Sequence, residues 1–184
     1  MSVTRDDLLQ IIADTPADEN AWLLYADWLQ QHGEPRGELI ALDIALETAT
    51  ERKAELEAAR VDLLARYGAA ILGETFAKFV ASGYGEVVWH RGFITVFGYA
   101  GNERVTHLRA VGWLVKLILD NPEPFTFLKK LTLSHTDISD VVPFAQFKHL
   151  VEIDVRSTNV RSASVEKLGE LRPSLRVRHS QLGT

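Results

Sequence analysis

The stretch from Leu128 to Ile138 (LKKLTLSHTDI) lies over the stretch from Leu150 to Val160 (LVEIDVRSTNV) at an offset of 22 residues. Every apolar position of the first copy meets an apolar residue in the second, and Thr136 returns as Thr158. The offset falls within the roughly 20 to 29 residues of leucine-rich repeats. A period of two sends Leu131 and Leu133, or Ile153 and Val155, inward from a short strand, and the next turn brings one more apolar residue back to the core. One such unit cannot bury itself, so the copies must stack. Ser174 to His179 (SLRVRH) reads as a third, degenerate strand, and Phe93 to Phe97 with a helix over 103–119 as a larger, irregular unit on the other side.

The same alternation predicts which side chains point away from the core: Lys130, Thr132 and Ser134, then Glu152, Asp154 and Arg156, then Arg176 and Arg178, in three adjacent rows. Two readings are open for these rows. They form either a solvated face with internal cross-strand pairs, or a partner-binding surface.

Ahead of the repeats the texture is helical. Thr4 with Asp7 three residues on has the form of a capping box, and a helix over about 5–13 follows. A second helix over 21–29 places Leu24, Tyr25 and Trp28 at helical spacing and ends at His32-Gly33. Residues 38–67 read as one long helix or two collinear ones, with Gly68 as the stop signal and a further helix over 69–80. After Ser82-Gly83-Tyr84-Gly85 come two short strands, Glu86 to His90 and Phe93 to Phe97, kinked at Arg91-Gly92. The expected fold is α+β or α/β: a helical region, 1–82, capping a short leucine-rich-repeat-like solenoid with a small parallel sheet, 83–184.

Three blocks, Leu8 to Asp14 (LLQIIAD), Tyr25 to Leu29 (YADWL) and Gly33 to Ile40 (GEPRGELI), resemble the hallmark pattern of the bacterial repeat-companion domain. That domain stands at the N-terminus of leucine-rich-repeat-like proteins in myxobacteria and planctomycetes, and Trp89 to Phe93 (WHRGF) is similar to the segment that opens the repeats in many members. The resemblance covers about the first 45 residues well and the remainder loosely, and it implies a fold and no established activity. Read from the residues themselves, the motif has a structural explanation. Trp28 and Tyr25 bury against the first and third helices, Asp27 bonds or pairs with Arg36, and Gly37 permits a tight helix start. The alternative makes Tyr25, Asp27, Arg36 and Glu38 an exposed docking cluster.

Chemistry-bearing patterns are sparse. The histidines His32, His90, His107, His135, His149 and His179 lie far apart, with no HExxH and no cluster with carboxylates. Gly83-Tyr84-Gly85 lacks the third glycine and the strand-to-helix setting of a dinucleotide loop. Neither a phosphate-binding GxxxxGK[ST] nor a GxSxG elbow occurs. Asp137 and Asp140 beside His135 sit where the repeat needs a polar turn. The reading is therefore no catalytic, metal or cofactor residues, no cofactor and no enzyme.

Residues 1–85 hold 15 acids and 7 bases, a balance of −8, and residues 86–184 hold 10 and 13, a balance of +3. A balance of +3 without a basic run gives nucleic acid little to hold, so it is an unlikely partner. No stretch reaches the roughly 18 apolar residues of a membrane span, and no signal peptide is read at the start. The absence of cysteine suits a reducing cytoplasm. The expected function is a non-enzymatic adaptor or scaffold whose repeat face binds a protein of unknown identity. The alternative is a self-associating structural subunit, a homo-oligomer built on the charged 38–67 helix; an enzyme or a nucleic-acid binder ranks below both.

Overall fold

The Thr4 side chain accepts from the Asp7 amide while the Asp7 carboxylate accepts from the Thr4 amide, so the capping box forms and starts helix α1, Arg5–Asp14. The computed structural model describes residues 3–100 and 111–180. The chain divides into two compact units: 1–73 together with His90–Gly92, and 74–89 together with 93–184.

The first unit holds α1, α2 (Glu19–Gln31), α3 (Arg36–Thr48) and α4 (Lys53–Leu72). Asp18 caps α2 through the Asn20 amide, and α2 buries Ala21, Trp22, Tyr25, Ala26 and Leu29. The buried face is thus one step round from the one predicted. Leu24 is 54% exposed, and Trp28 is half-buried, its ring stacked on His32 at 3.8 Å. The tryptophan inside is Trp22, whose Nε1 donates to the Pro16 carbonyl at 3.0 Å.

The stretch predicted as one long helix or two collinear ones is two helices packed on each other. The backbone leaves the helical region at Ala49, and α4 returns along α3, with Arg60 Nε donating to Asp43 Oδ1 at 2.6 Å. Gly68 does not stop α4. It is buried within the helix, which ends at Gly73 with φ of 79°.

The second unit begins with α5 (Glu74–Ala81), so the division falls at 73/74 and not at 82/83. The reason is aromatic packing: α5 buries Phe76 and Phe79, and Phe76 meets Phe97 at 5.5 Å and Phe125 at 5.2 Å. Five strands follow in the order β1 (Glu86–His90), β2 (Phe93–Gly98), β3 (Lys130–Thr132), β4 (Glu152–Asp154) and β5 (Arg176–Arg178), with β2 to β5 parallel. The fold is α+β, with seven α-helices and a mostly parallel five-stranded sheet among the described residues. Phe97, Leu131, Ile153 and Val177 lie side by side in register, and the first three are fully buried.

Of the helix predicted over 103–119, residues 103–110, with His107 and Leu108, lie outside the described residues. The described part is α6, Gly112–Asp120. The sequence reading missed α7, Ser162–Leu171, which carries the chain from β4 to β5. Just past its end, Arg172 donates to the carbonyls of Phe147 at 2.5 Å, Lys148 at 2.8 Å and Leu150 at 3.0 Å.

The two copies of the repeat are structural equivalents down to their turns. His135 has φ of 57° and Ser157, 22 residues on, φ of 56°. In each copy the next residue is a buried threonine bonded back to the strand: Thr136 Oγ1 to the Leu133 carbonyl, Thr158 Oγ1 to the Val155 carbonyl, both at 2.6 Å. A left-handed residue reverses the chain, and the hydroxyl satisfies a carbonyl that the reversal leaves unpaired. Thr136→Val and Thr158→Val keep the shape and lose the donor. Each is expected to lower stability by about 1–2 kcal/mol, and equal losses in urea unfolding will mark the turns as equivalent.

Candidate functional site

Register builds the predicted face row by row: Lys130 beside Glu152 beside Arg176, then Thr132 beside Asp154 beside Arg178. Glu152, at the centre of its row, gathers three cations. Lys130 Nζ lies 3.7 Å from Oε1, Arg176 Nη1 3.7 Å from Oε2, and Arg178 Nε 3.1 Å from Oε1. Asp154 is gripped by Arg156, whose Nε and Nη2 reach its two oxygens at 3.0 and 2.7 Å while the Arg156 amide donates to Oδ1 at 3.1 Å.

Depth separates the charges. Arg176, Arg156, Lys130 and Arg178 are 70%, 54%, 47% and 43% exposed at the side chain, whereas Glu152 and Asp154 are 16% and 7%. Solvent therefore meets four cations, with two carboxylates beneath them. This departs from uniform outward exposure in two places. Asp154 is buried because Arg156 closes over it. Ser134 is buried because β3 ends at Thr132 and the chain reverses at His135, where alternation no longer applies.

Burial alone raises the Asp154 pKa, but the side-chain and backbone hydrogen bonds of Arg156, with the charges of Arg156 and Arg178, outweigh it and hold the carboxyl below its ordinary 3.8. A depressed carboxylate pKa contributes stability above the unfolded value and loses it as pH falls through the folded one. Asp154→Asn is therefore expected to cost about 1–2 kcal/mol at neutral pH and to flatten the acid limb of a urea-midpoint series run from about pH 6 to about pH 2.5. An unchanged acid limb will mean that the Asp154–Arg156 contact carries no linkage.

The second predicted surface is not one surface. Tyr25 is fully buried, and its hydroxyl accepts from Arg5 Nε at 3.1 Å. Arg36 is 3% exposed; it donates Nη1 to the Gly92 carbonyl and Nη2 to the Ile71 carbonyl, both at 2.8 Å. Asp27 and Glu38 are exposed. Two residues along a helix is about 200° of rotation, so burying Tyr25 turns Asp27 outward, and the expected bond between Asp27 and Arg36 does not form. Glu38 instead lines a shallow depression of about 280 Å³ with Gln30, Gly33, Glu34, Pro35 and Tyr67.

Arg36 reaches instead to the turn Arg91-Gly92, where Asp43, Glu47 and Trp22 join it. Asp43 Oδ2 accepts from the Gly92 amide at 2.8 Å while Arg36 holds its carbonyl. Arg91, at φ of 46°, gives Nε and Nη2 to Glu47 at 2.8 and 2.6 Å, and its guanidinium lies 5.5 Å from the centre of the Trp22 ring. The Arg91 bonds, ahead of its charge and that of His90, lower the Glu47 pKa. Arg36, Asp43 and Glu47 lie on one side of α3, so α3 holds both backbone polar groups of one residue, Gly92, far along the chain.

Comparison with protein-family models, with curated proteins and with solved structures returns no match for this chain. Local geometry alone therefore guides the functional reading. Among the described residues no group of three or more histidines, aspartates and glutamates is placed to hold a metal ion, and no helix is long and apolar enough to cross a membrane.

Proposed function

We propose that this chain is a non-enzymatic protein-interaction module, an adaptor or scaffold acting in the cytoplasm, and that its partner docks on the outer face of β3 to β5. In this reading the second unit is a short leucine-rich-repeat-like solenoid and the first is a repeat-companion domain. Equivalent turns 22 residues apart, with strands adjacent in chain order, support stacked repeats.

One observation carries the docking reading: four exposed cations, Lys130, Arg156, Arg176 and Arg178, surround two shielded carboxylates, Glu152 at 16% and Asp154 at 7% side-chain exposure. A face serving only as a solvated surface has no need to sequester its acids. The self-associating alternative loses its motivation, because the continuous charged helix it relied on is two helices whose charges pair within the unit, as in Arg60–Asp43 and Arg52–Glu55.

Immobilised full-length chain and an Arg156→Glu/Arg176→Glu variant of equal thermal stability will test the proposal against native lysate, with captured proteins quantified by mass spectrometry. A protein retained by the wild type and depleted about tenfold or more by the variant, a loss of about 1.4 kcal/mol, is the expected result. Identical capture will reject this face.

A further inference from the structure

We infer that the partner of the β3 to β5 face is an acidic protein segment in extended form, its carboxylates taken up by Lys130, Arg156, Arg176 and Arg178. The inference rests on the docking proposal and adds the chemistry of the occupant. On a chain of formal net charge −5, this face is a cationic island. Its four bases outnumber its two acids, and both acids lie at 16% exposure or less.

The shielded carboxylates orient the cations without exhausting them. Asp154 engages Nε and Nη2 of Arg156 and leaves Nη1 to other acceptors. Arg176 and Lys130 approach Glu152 only to 3.7 Å, a charge contact longer than a hydrogen bond. A guanidinium already held in place loses less freedom on meeting a carboxylate, and its planar fork matches that group with two parallel bonds.

Spacing points to an extended segment. Arg176 and Arg178 stand two residues apart on one face of β5, about 7 Å along the strand. Alternate side chains of an extended peptide repeat at the same pitch. Nucleic acid fits less well: no tryptophan, tyrosine or phenylalanine belongs to these rows to stack on a base.

Fluorescence anisotropy of the full-length chain with a labelled peptide of alternating glutamate and serine will test this, beside the same peptide with glutamine for glutamate and a single-stranded oligonucleotide of equal charge. The expected result is binding of the glutamate peptide that weakens with salt, and that is weakened about tenfold or more by glutamine or by Lys130→Gln/Arg176→Gln in the protein. These two side chains are exposed, and a matched thermal melt will show that the variant folds. Absent binding, indifference to either change, or tighter binding of the oligonucleotide overturns the inference. Selection of random displayed peptides on the same protein separates the two proposals. Non-acidic sequences that depend on Lys130 and Arg176 overturn the acidic partner and leave the docking face in place; if no selected sequence depends on them, both fall.

Discussion

Replacing Gly37 with alanine will destabilise the helical unit by about 3 kcal/mol, a cost at the high end for overpacking. A Cβ at this position would lie 2.4 Å from the Ala26 carbonyl oxygen, 2.8 Å from Gln30 Cγ and 3.0 Å from the Gln30 amide nitrogen. Two of these three atoms are backbone of α2, so no rotamer change makes room, and α2 and α3 must move apart. Gly169 in α7 is the control, because nothing lies within 4 Å of its would-be Cβ. Alanine there is expected to stabilise by about 0.5–1 kcal/mol through helix propensity. Urea unfolding followed by circular dichroism reads both, and equal stability of Gly37→Ala and wild type will refute the close crossing.

Arg36→Met will cost about 3 kcal/mol or more. The guanidinium satisfies the carbonyls of Gly92 and Ile71 from a buried position, and each buried acceptor left without a donor costs about 1–3 kcal/mol. Arg36→Lys will not restore the loss, since one ammonium cannot reproduce a fork that spans two carbonyls. Urea unfolding measures the stability, and hydrogen exchange will speed up at the Gly92 amide, the other polar group of the same clamped turn. The docking-cluster reading of Tyr25, Asp27, Arg36 and Glu38 requires the opposite: unchanged stability and lost partner binding.

These two positions show where the sequence stops being legible. Arg36-Gly37 stands out in the chain, and both residues are structural, yet neither reason was visible beforehand. Gly37 was expected to ease a helix start, but its lack of a side chain serves a helix crossing. Arg36 was expected to meet Asp27, nine residues away, but it meets Gly92, 56 residues away. Similarly, spacing placed Trp28 inside α2 where Trp22 is the buried ring. Both choices satisfy helical periodicity, and only the helices packed alongside distinguish them.

What the sequence determined by itself is whatever near neighbours encode: the capping box at Thr4, the alternation that puts Leu131 and Ile153 inward, the 22-residue recurrence and its threonine-bearing turns, and the rows from Lys130 to Arg178. The cap, the alternation and the turns depend on hydrogen bonds or side-chain direction within a few residues, where local geometry leaves few choices, and the rows follow from repeating that alternation in each copy. Tertiary structure alone decided that α4 runs through Gly68 to Gly73, that α5 joins the aromatic core of the second unit, that Asp154 lies buried beneath Arg156, and that α3 grips the Arg91-Gly92 turn. A buried polar group takes the nearest partner that the packed fold supplies, and that partner's distance along the chain is not written in the spacing around it.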